Sequence, residues 1–417
     1  MKKIGLGRSY LMTSERGEEQ DGISLEYDRR LKKPGSIVRG VVKVNDQTVR
    51  QKGIEEVTIE LIGRVKAAVV ISSRDGDTVY KEQHVFLQRK LTLWRVSDLP
   101  PKENNSIRTL PFAFDLPLDD PNMPPSYSCQ AGKSAGSVGY FVKIIARKSA
   151  WYKFKLQIYA PFPFRPFDLN PPPALDLART RYYKKETQMR KGIMFGAQAK
   201  VTGFMKLPKA TSLTPFQDIP VLIHIHCYSK PLPSSCSSDP SSFNFPLPPT
   251  TPDALNLTLQ CRITLHAKGK KQSHANDIRA VGGFGDSVWN AGVALPKVER
   301  TIGQPRWTTD SPDDEKKPAK EGRWFQEVMF KSSFNLNNCP PSIDTGLLVT
   351  QYVLQLKVTF GGIRNVFMMH VDIGNVSSGI YSSDDGSSER GLASRWDLPP
   401  FYWEVIDADD DFESDKK

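Results

Sequence analysis

The sequence reads Leu110-Pro111-Phe112-Ala113-Phe114-Asp115-Leu116-Pro117, passes through Pro124-Pro125-Ser126-Tyr127, and continues as Val138-Gly139-Tyr140-Phe141-Val142-Lys143-Ile144-Ile145. Upstream, residues 58–62 alternate polar and apolar side chains, a pattern typical of a half-buried antiparallel strand. The whole run from residue 23 to residue 146 has this character. It predicts a β-sandwich, a fold that holds partners on its surfaces and lacks a deep cleft for chemistry.

Composition limits the class of protein. A chain of 417 residues suggests two domains, and its 32 prolines favour short strands joined by turns. No stretch approaches the roughly 18 apolar residues of a membrane span, and the basic N-terminus lacks the apolar segment of a secretory signal. The five cysteines show no CxxC spacing, so we expect neither a disulfide framework nor a zinc site. We therefore expect a cytoplasmic protein without a metal or cofactor.

Charge is distributed unevenly along the chain. The formal net charge is +11, but residues 376–417 contain 11 acidic and four basic side chains. The tail thus carries −7 and the body +18. A body this basic attracts anionic surfaces such as phospholipid headgroups or phosphorylated peptides. The acidic tail is a natural intramolecular competitor for the same sites, and truncation at Val376 is expected to increase binding to anionic liposomes.

Turn and proline signals divide the chain into segments. Residues 1–20 read as a flexible lead-in and residues 21–168 as a first β block. Residues 169–198, rich in proline and basic side chains, read as a linker because proline cannot extend a central strand. A second β block spans 199–375, with two polar insertions, 229–251 and 268–320, predicted as exposed loops. Residues 376–417 are rich in Ser, Asp and Gly, and we expect them to be disordered.

The order of these segments resembles the arrestin fold, and within it the fungal α-arrestin branch. In the first block the resemblance rests on Tyr27 and on residues 34–42, 59–63, 110–117, 124–127 and 138–142. In the second block it rests on residues 341–346 and 352–358. The resemblance implies an all-β protein with two immunoglobulin-like β-sandwich lobes. It also implies an adaptor that links membrane-protein cargo to trafficking or ubiquitylation machinery.

The tail carries a PPxY motif, Pro399-Pro400-Phe401-Tyr402. WW domains bind such segments because a polyproline II helix is preformed and fits an aromatic groove at little entropic cost. The tails of α-arrestins are similar here, and they recruit WW-containing HECT ubiquitin ligases through this motif. The alternative is that residues 398–405 form an apolar segment that packs on the sandwich.

A basic stretch lies in the predicted linker. Its members are Arg179, Arg181, Lys184, Lys185, Arg190 and Lys191. They are candidates for binding phosphoinositides or phosphorylated cargo tails, and the lysines for accepting ubiquitin. A solvated linker is the alternative interpretation. Nucleic-acid binding is less favoured, because no helix-turn-helix, zinc or stacking-sheet signature accompanies the charge.

Three further motifs are better explained by structure than by function. Pro124–Tyr127 matches PPxY but lies between strands, where a turn is expected. Residues 132–136 fit G-x-S-x-G, but a nucleophile elbow needs a strand before it and a helix after it. His224 and His226 share one face of a strand without a third metal ligand placed by the sequence.

The preferred reading is thus a non-enzymatic trafficking adaptor. It would bind the cytoplasmic tails of membrane proteins, recruit a WW-domain ubiquitin ligase, and associate peripherally with the plasma membrane or endosomes. An arrestin-fold coat or sorting scaffold, resembling the retromer subunit and without a ubiquitin link, is the alternative. The third hypothesis is an enzyme, but the sequence shows no set of acid, base and nucleophile residues that could form one active site.

Overall fold

The computed structural model shows a nearly all-β chain. It describes residues 19–20, 22–98, 107–118, 120, 123–148, 156–168, 175, 177–191, 198–215, 217–285, 297–309, 321–336, 339–361 and 365–380. In the described residues the α-helix is one short segment, and no helix has the length and apolar character needed to cross a membrane.

The first lobe is a sandwich of two antiparallel sheets. Its strands are β1 (Glu19–Gln20), β2 (Ile23–Tyr27), β3 (Ile37–Asn45), β4 (Ile54–Ser73), β5 (Gly76–Arg95), β6 (Ile107–Asp115), β7 (Tyr127–Ala131), β8 (Ser134–Lys148) and β9 (Leu156–Phe162). One sheet has the order β1-β2-β3-β6, and the other has the order β5-β4-β8-β7 with β9 paired to β8. Helix α1 (Asp46–Gln51) connects β3 to β4 and begins where Asn45 Oδ1 accepts a hydrogen bond from Thr48 N.

Alternation in β4 shows why the sheets pack. Ile59, Leu61, Val65, Ala67 and Val69 lie at alternate positions of β4 and are buried, so their side chains share the inner face. Burying such side chains contributes about 1.5–3 kcal/mol each. The same core cluster includes apolar residues of the facing sheet, so the two sheets form one sandwich.

The second lobe is also a sandwich of two sheets. Its strands are β10 (Thr180–Met189), β11 (Ala199–Pro208), β12 (Ser212–Leu213), β13 (Ile219–Tyr228), β14 (Leu232–Pro233), β15 (Leu255–Ala267), β16 (Lys270–Ala280), β17 (Glu299–Ile302), β18 (Arg306–Thr308), β19 (Glu321–Phe334), β20 (Leu348–Thr359) and β21 (Val366–Val376). One sheet has the order β10-β11-β13-β19-β14, with β17 and β18 on β19. The other has the order β12-β21-β20-β15-β16. The sheets approach closely where Gly203 leaves room for the ring of Phe367.

The structure differs from the loop prediction in both insertions of the second lobe. The segment 229–251 contains β14 and two short 3-10 turns, and it buries Phe243. The segment 268–320 contains β16, which pairs along β15, and also β17 and β18, which pair with β19. The prediction of exposed loops was wrong for these strands. These strands are short or polar and lie at the edges of the pairing. Edge strands bury few side chains, so their sequences show little of the apolar alternation that predicts a strand.

The two lobes share one continuous cluster of buried apolar side chains. Gly136 of β8 packs directly against Leu265 of the second lobe. A β-carbon added to Gly136 would lie only 2.5 Å from Leu265 Cδ2, so the backbone approaches too closely to leave room for a side chain. At the rim, Lys270 Nζ lies 5.6 Å from the ring centroid of Tyr80, and the Lys268 amide donates to Glu82 Oε2 at 2.5 Å. Apolar packing with a polar rim thus joins the lobes.

The same turn occurs in both lobes. Tyr140 donates from its hydroxyl to the Pro124 carbonyl oxygen at 2.7 Å, and Ser126 exchanges hydrogen bonds with the backbone of Phe164. In the second lobe, Tyr352 donates to the Pro340 carbonyl at 2.7 Å. There Ser342 exchanges the same two bonds with the backbone of Val376. The structure therefore shows Pro124–Tyr127 as one of two equivalent Pro-Pro-Ser turns.

Candidate partner-binding surface

The basic stretch lies on strand β10, at the edge of a sheet. Residues 180–189 pair antiparallel with β11 along their whole length, so the interpretation as a solvated linker was wrong for these residues. Thr180, Tyr182, Tyr183 and Thr187 are residues with high β propensity, and their preference prevails over the charges beside them.

The strand places its basic residues on opposite faces. The Arg181 side chain donates to the Ala210 carbonyl oxygen. Lys184 points to the opposite, outer face, where its ammonium lies 2.9 Å from Glu186. Just after the strand, the backbone of Arg190 exchanges two hydrogen bonds with the Asn365 side chain. The side chains of Arg179, Lys185, Arg190 and Lys191 are exposed. The six residues therefore do not form a single patch.

The outer face of this sheet presents a row of aromatic rings, which we call the aromatic–basic face. The rings in this row belong to Tyr182, Phe204, His224, His226, Tyr228 and Phe325. Neighbouring centroids lie 5.4 Å apart from Tyr182 to Phe204, 4.7 Å from Phe204 to His226, and 5.2 Å from His226 to Phe325. These are the separations of stabilising aromatic pairs. The rings cross four strands and form a continuous platform.

Cations surround the platform. Each of four lies over a ring, at centroid distances of 6.0 Å for Lys184 on Phe204, 5.7 Å for Lys200 on Tyr228, 5.8 Å for Lys206 on Tyr182 and 5.3 Å for Arg306 on Phe325. The face also holds two carboxylates. Glu186 lies 2.9 Å from Lys184 and 3.0 Å from Lys200, and Glu327 lies 2.9 Å from Arg306.

The two histidines of the face are neutral at pH 7. Burial lowers the pKa of His224, and it also lowers the pKa of His226 although the Glu327 carboxylate 3.3 Å away acts in the opposite direction. The expectation that both share a face is confirmed by their ring contact at 6.0 Å. Within the described residues no group of three or more His, Cys, Asp or Glu side chains is arranged to hold a metal ion.

Comparison with protein families identifies the first lobe. Residues 23–160 match the family model described as arrestin (or S-antigen), N-terminal domain. The first lobe is arrestin-like. The match runs from β2 into β9, about a third of the chain, and it confirms the arrestin resemblance expected for the first β block. A comparison of the whole chain with curated proteins finds no match. The arrestin domain supports a general role as an adaptor. Proteins of the arrestin family are generally adaptors and not enzymes.

The other sequence motifs of the chain have structural explanations or lie outside the described residues. Ser134 of the G-x-S-x-G match is buried between two strands of a hairpin, and its hydroxyl accepts a hydrogen bond from Val70 N at 2.9 Å. The five cysteines are free thiols, and burial raises the pKa of Cys129 to about 12 and that of Cys261 to about 11. The motif Pro399–Tyr402 and the acidic tail beyond Ile380 lie outside the described residues.

The aromatic–basic face was missed at the level of sequence. Its members come from strands separated by up to 143 positions, from Tyr182 to Phe325, and only the strand register brings them together. The available signal was local: half-buried His224, His226 and Tyr228 alternate with buried Ile223, Ile225 and Cys227 on β13. This alternation indicates a strand with one buried and one outward face, and it does not by itself distinguish a binding surface.

Proposed function

We propose that this arrestin-like protein is a non-enzymatic trafficking adaptor that works without a cofactor. Its lobes bind the cytoplasmic tails of membrane proteins, and its tail PPxY motif recruits a WW-domain HECT ubiquitin ligase. Ubiquitylation and endocytosis of the cargo follow. The match of residues 23–160 to the arrestin N-terminal domain is the observation that supports this proposal most strongly. The site of action is the cytoplasmic face of the plasma membrane or of endosomes.

The structure of the first PPxY match supports the choice of the second. Tyr127 is only 8% exposed, and the Pro124 carbonyl accepts the Tyr140 hydroxyl. A WW domain needs both the prolines and the tyrosine ring on the surface. Pro124–Tyr127 is therefore excluded as a ligand, which leaves Pro399–Tyr402 as the candidate for ligase recruitment.

A pull-down with an isolated WW domain tests ligase recruitment. We expect Tyr402→Ala in the full chain to reduce recovery at least about tenfold, since the tyrosine ring fills the groove beside the prolines. Phe401→Ala is the matched control, because it removes a neighbouring ring at the position that the motif leaves free. Equal recovery of the Tyr402→Ala chain and the wild type would reject the ligase link and favour a coat or sorting scaffold.

Anionic phospholipid is the second proposed partner. The side chain of Arg181 donates to the Ala210 carbonyl oxygen, so we assign lipid contact to the exposed members of the set, which are Arg179, Lys184, Lys185, Arg190 and Lys191. Each surface lysine near an anionic membrane contributes about 1 kcal/mol. Flotation with vesicles containing phosphatidylserine should therefore weaken in a Lys185→Gln/Lys191→Gln chain. Unchanged flotation of that chain would exclude this stretch from membrane contact.

A further inference from the structure

A polar cavity lies beside the end of strand β21. Its volume of about 330 Å³ falls at the lower end of the range of small-molecule sites, about 300–1,000 Å³. Within the described residues its lining includes two carboxylates and two carboxamides but no lysine, arginine or histidine. The polar lining includes Asp168, Ser212, Asp344, Gln351, Asn375 and Ser377. The cavity therefore offers negative charge and many hydrogen-bond acceptors.

One buried hydroxyl of this lining has no partner. Ser377 is only 7% exposed, and its Oγ makes no hydrogen bond within the described part of the chain. A hydroxyl that is buried without a partner is unfavourable, and nearly all such groups in folded proteins are satisfied. A ligand that donates a hydrogen bond to Ser377 Oγ would therefore be held in the cavity more tightly than one that cannot.

The first lobe carries an arginine at the equivalent position. Arg165 N donates to the Lys32 carbonyl oxygen at 2.9 Å, and Ser377 N donates to the Leu213 carbonyl oxygen at the same distance. In both lobes the preceding residue is the one that exchanges hydrogen bonds with the serine of the Pro-Pro-Ser turn. Arg165 is 4% exposed and donates to the Ser378 carbonyl oxygen at 3.4 Å. The first lobe thus buries a guanidinium from a position where the second lobe has a short side chain beside a cavity.

Both carboxylates of the cavity are held in place and keep acceptor capacity. Asp168 is half-buried and accepts hydrogen bonds from the backbone amides of residues 378–379, at 2.8 and 2.6 Å. Asp344 is exposed, and its Oδ1 accepts from Gly346 N at 3.1 Å. A carboxylate has about four acceptor sites, so each can still accept hydrogen bonds from a ligand. Since backbone amides fix both groups, little ordering is needed when a ligand binds.

A guanidinium group matches this set of acceptors. It is planar and permanently charged, and it carries five N–H donors in a fixed fork and no acceptor. Carboxylates bind it through charge-assisted hydrogen bonds, and hydroxyl or amide oxygens can accept from its remaining donors. A metal ion fits less well, because in the described residues no group of three or more His, Cys, Asp or Glu side chains is arranged to hold one.

We propose that the cavity beside β21 is a binding site for a guanidinium group. The charged fork pairs with the carboxylates of Asp168 and Asp344, and Ser377 Oγ accepts one of the remaining N–H groups. The guanidinium belongs either to free arginine or to an arginine side chain of a partner protein, because both present the same chemistry. Binding at this cavity does not depend on the proposed recruitment of a ligase.

Calorimetric titration of the full chain tests the site with three probes that differ only in their head group. The probes are arginine, citrulline and lysine, each with an acetylated amino group and a methylamide at the carboxyl end. We expect blocked arginine to bind saturably, and blocked citrulline and blocked lysine to bind at least about tenfold more weakly. Citrulline lacks the charge, and lysine lacks the planar fork of donors. Free arginine is titrated in parallel: tighter binding of the free form assigns a small molecule, and tighter binding of the blocked form assigns a protein side chain.

A matched pair of variants locates the binding. Asp344→Asn should weaken the binding of blocked arginine at least about tenfold, because it removes one of the two carboxylate charges. Asp372→Asn is the control, since Asp372 is also exposed and also accepts from the amide two residues later, but it does not line the cavity. Both variants keep an oxygen for that bond, so both should fold. A further variant, Ser377→Arg, supplies a guanidinium within the chain and should abolish binding.

Three results would overturn the proposal. The first is the absence of saturable binding of both free and blocked arginine to the wild type up to about 10 mM. The second is binding of blocked citrulline or blocked lysine as tight as that of blocked arginine. The third is an equal effect of Asp344→Asn and Asp372→Asn, because it would place the binding outside the cavity.

Discussion

Tyr140 and Tyr352 occupy equivalent positions in the two lobes. Each phenol is fully buried and donates at 2.7 Å to the carbonyl oxygen of the first proline of a Pro-Pro-Ser turn. Burial raises the pKa of both phenols well above the ordinary value, so both remain donors at every physiological pH. The pair ties each turn to a central strand of its own lobe.

Removal of either hydroxyl should destabilise the protein. We expect Tyr140→Phe and Tyr352→Phe each to lower the free energy of unfolding by about 1–3 kcal/mol, because a proline carbonyl loses its donor in a buried site. Thermal and urea unfolding measure the effect. Tyr182→Phe is the control, because Tyr182 lies on the exposed face. The prediction would be contradicted if Tyr140→Phe or Tyr352→Phe were as stable as this control.

The junction between the lobes should not tolerate a side chain at Gly136. A β-carbon there would lie 2.5 Å from Leu265 Cδ2 and 3.2 Å from Leu348 Cδ1, and both leucines are buried. We expect Gly136→Ala to cost about 1–3 kcal/mol through overpacking and to lower Tm in calorimetry. Gly361→Ala is the control, because no atom lies within 4 Å of its added carbon. Equal Tm values for the two variants would show that the junction adapts freely.

The histidines of the aromatic–basic face should make stability depend on pH. Folding lowers the pKa values of both histidines below the unfolded value of about 6.5. At a pH between the folded and the unfolded pKa, the unfolded chain therefore binds more protons than the folded protein. Their contribution to stability is complete above about pH 6.5 and is lost as pH falls through the folded pKa. We expect the drop in Tm from pH 7.5 to pH 5 to shrink in His224→Gln/His226→Gln. The exposed His84→Gln is the control, and an undiminished drop in the double variant would count against this assignment.

Loss of the acidic tail should increase attraction to anionic membranes. A chain that ends after Ile380 loses 11 acidic and four basic residues, which leaves the remaining body with a net charge of +18. It should bind phosphatidylserine vesicles more strongly than the full chain at low salt, with the difference shrinking near 1 M salt, where the Debye length is about 3 Å. Co-sedimentation measures the effect. Identical binding at low salt would show that the tail does not mask the body.

The sequence predicted the fold class because its strongest signals are local. Strand β4 alternates apolar and polar residues at several places, β8 is a nearly continuous apolar run, and the Pro-Pro-Ser turn between Leu116 and Tyr127 is visible as a break between strands. These signals lie in the part of the chain that matches the arrestin domain. Side-chain period and turn chemistry are short-range properties, and one sequence is enough to read them.

The binding surface could not be predicted in the same way. Whether Phe204 meets His226 depends on the register between β11 and β13, and no local pattern fixes that register. Strand β10 was mistaken for a linker because edge strands tolerate charge, so its lysines and arginines concealed a paired strand. Long-range pairing therefore accounts for most of what was missed.

The hydrogen bonds of Asp168 to Ser378 and Gly379 also have a mechanical consequence. A partner attached to the tail pulls first on this clasp, which lies where the chain leaves the first lobe. The next element along the chain is β21, which ends at Val376 and pairs with β20. A force applied beyond Ile380 therefore loads these two hydrogen bonds before it can separate β21 from its sheet.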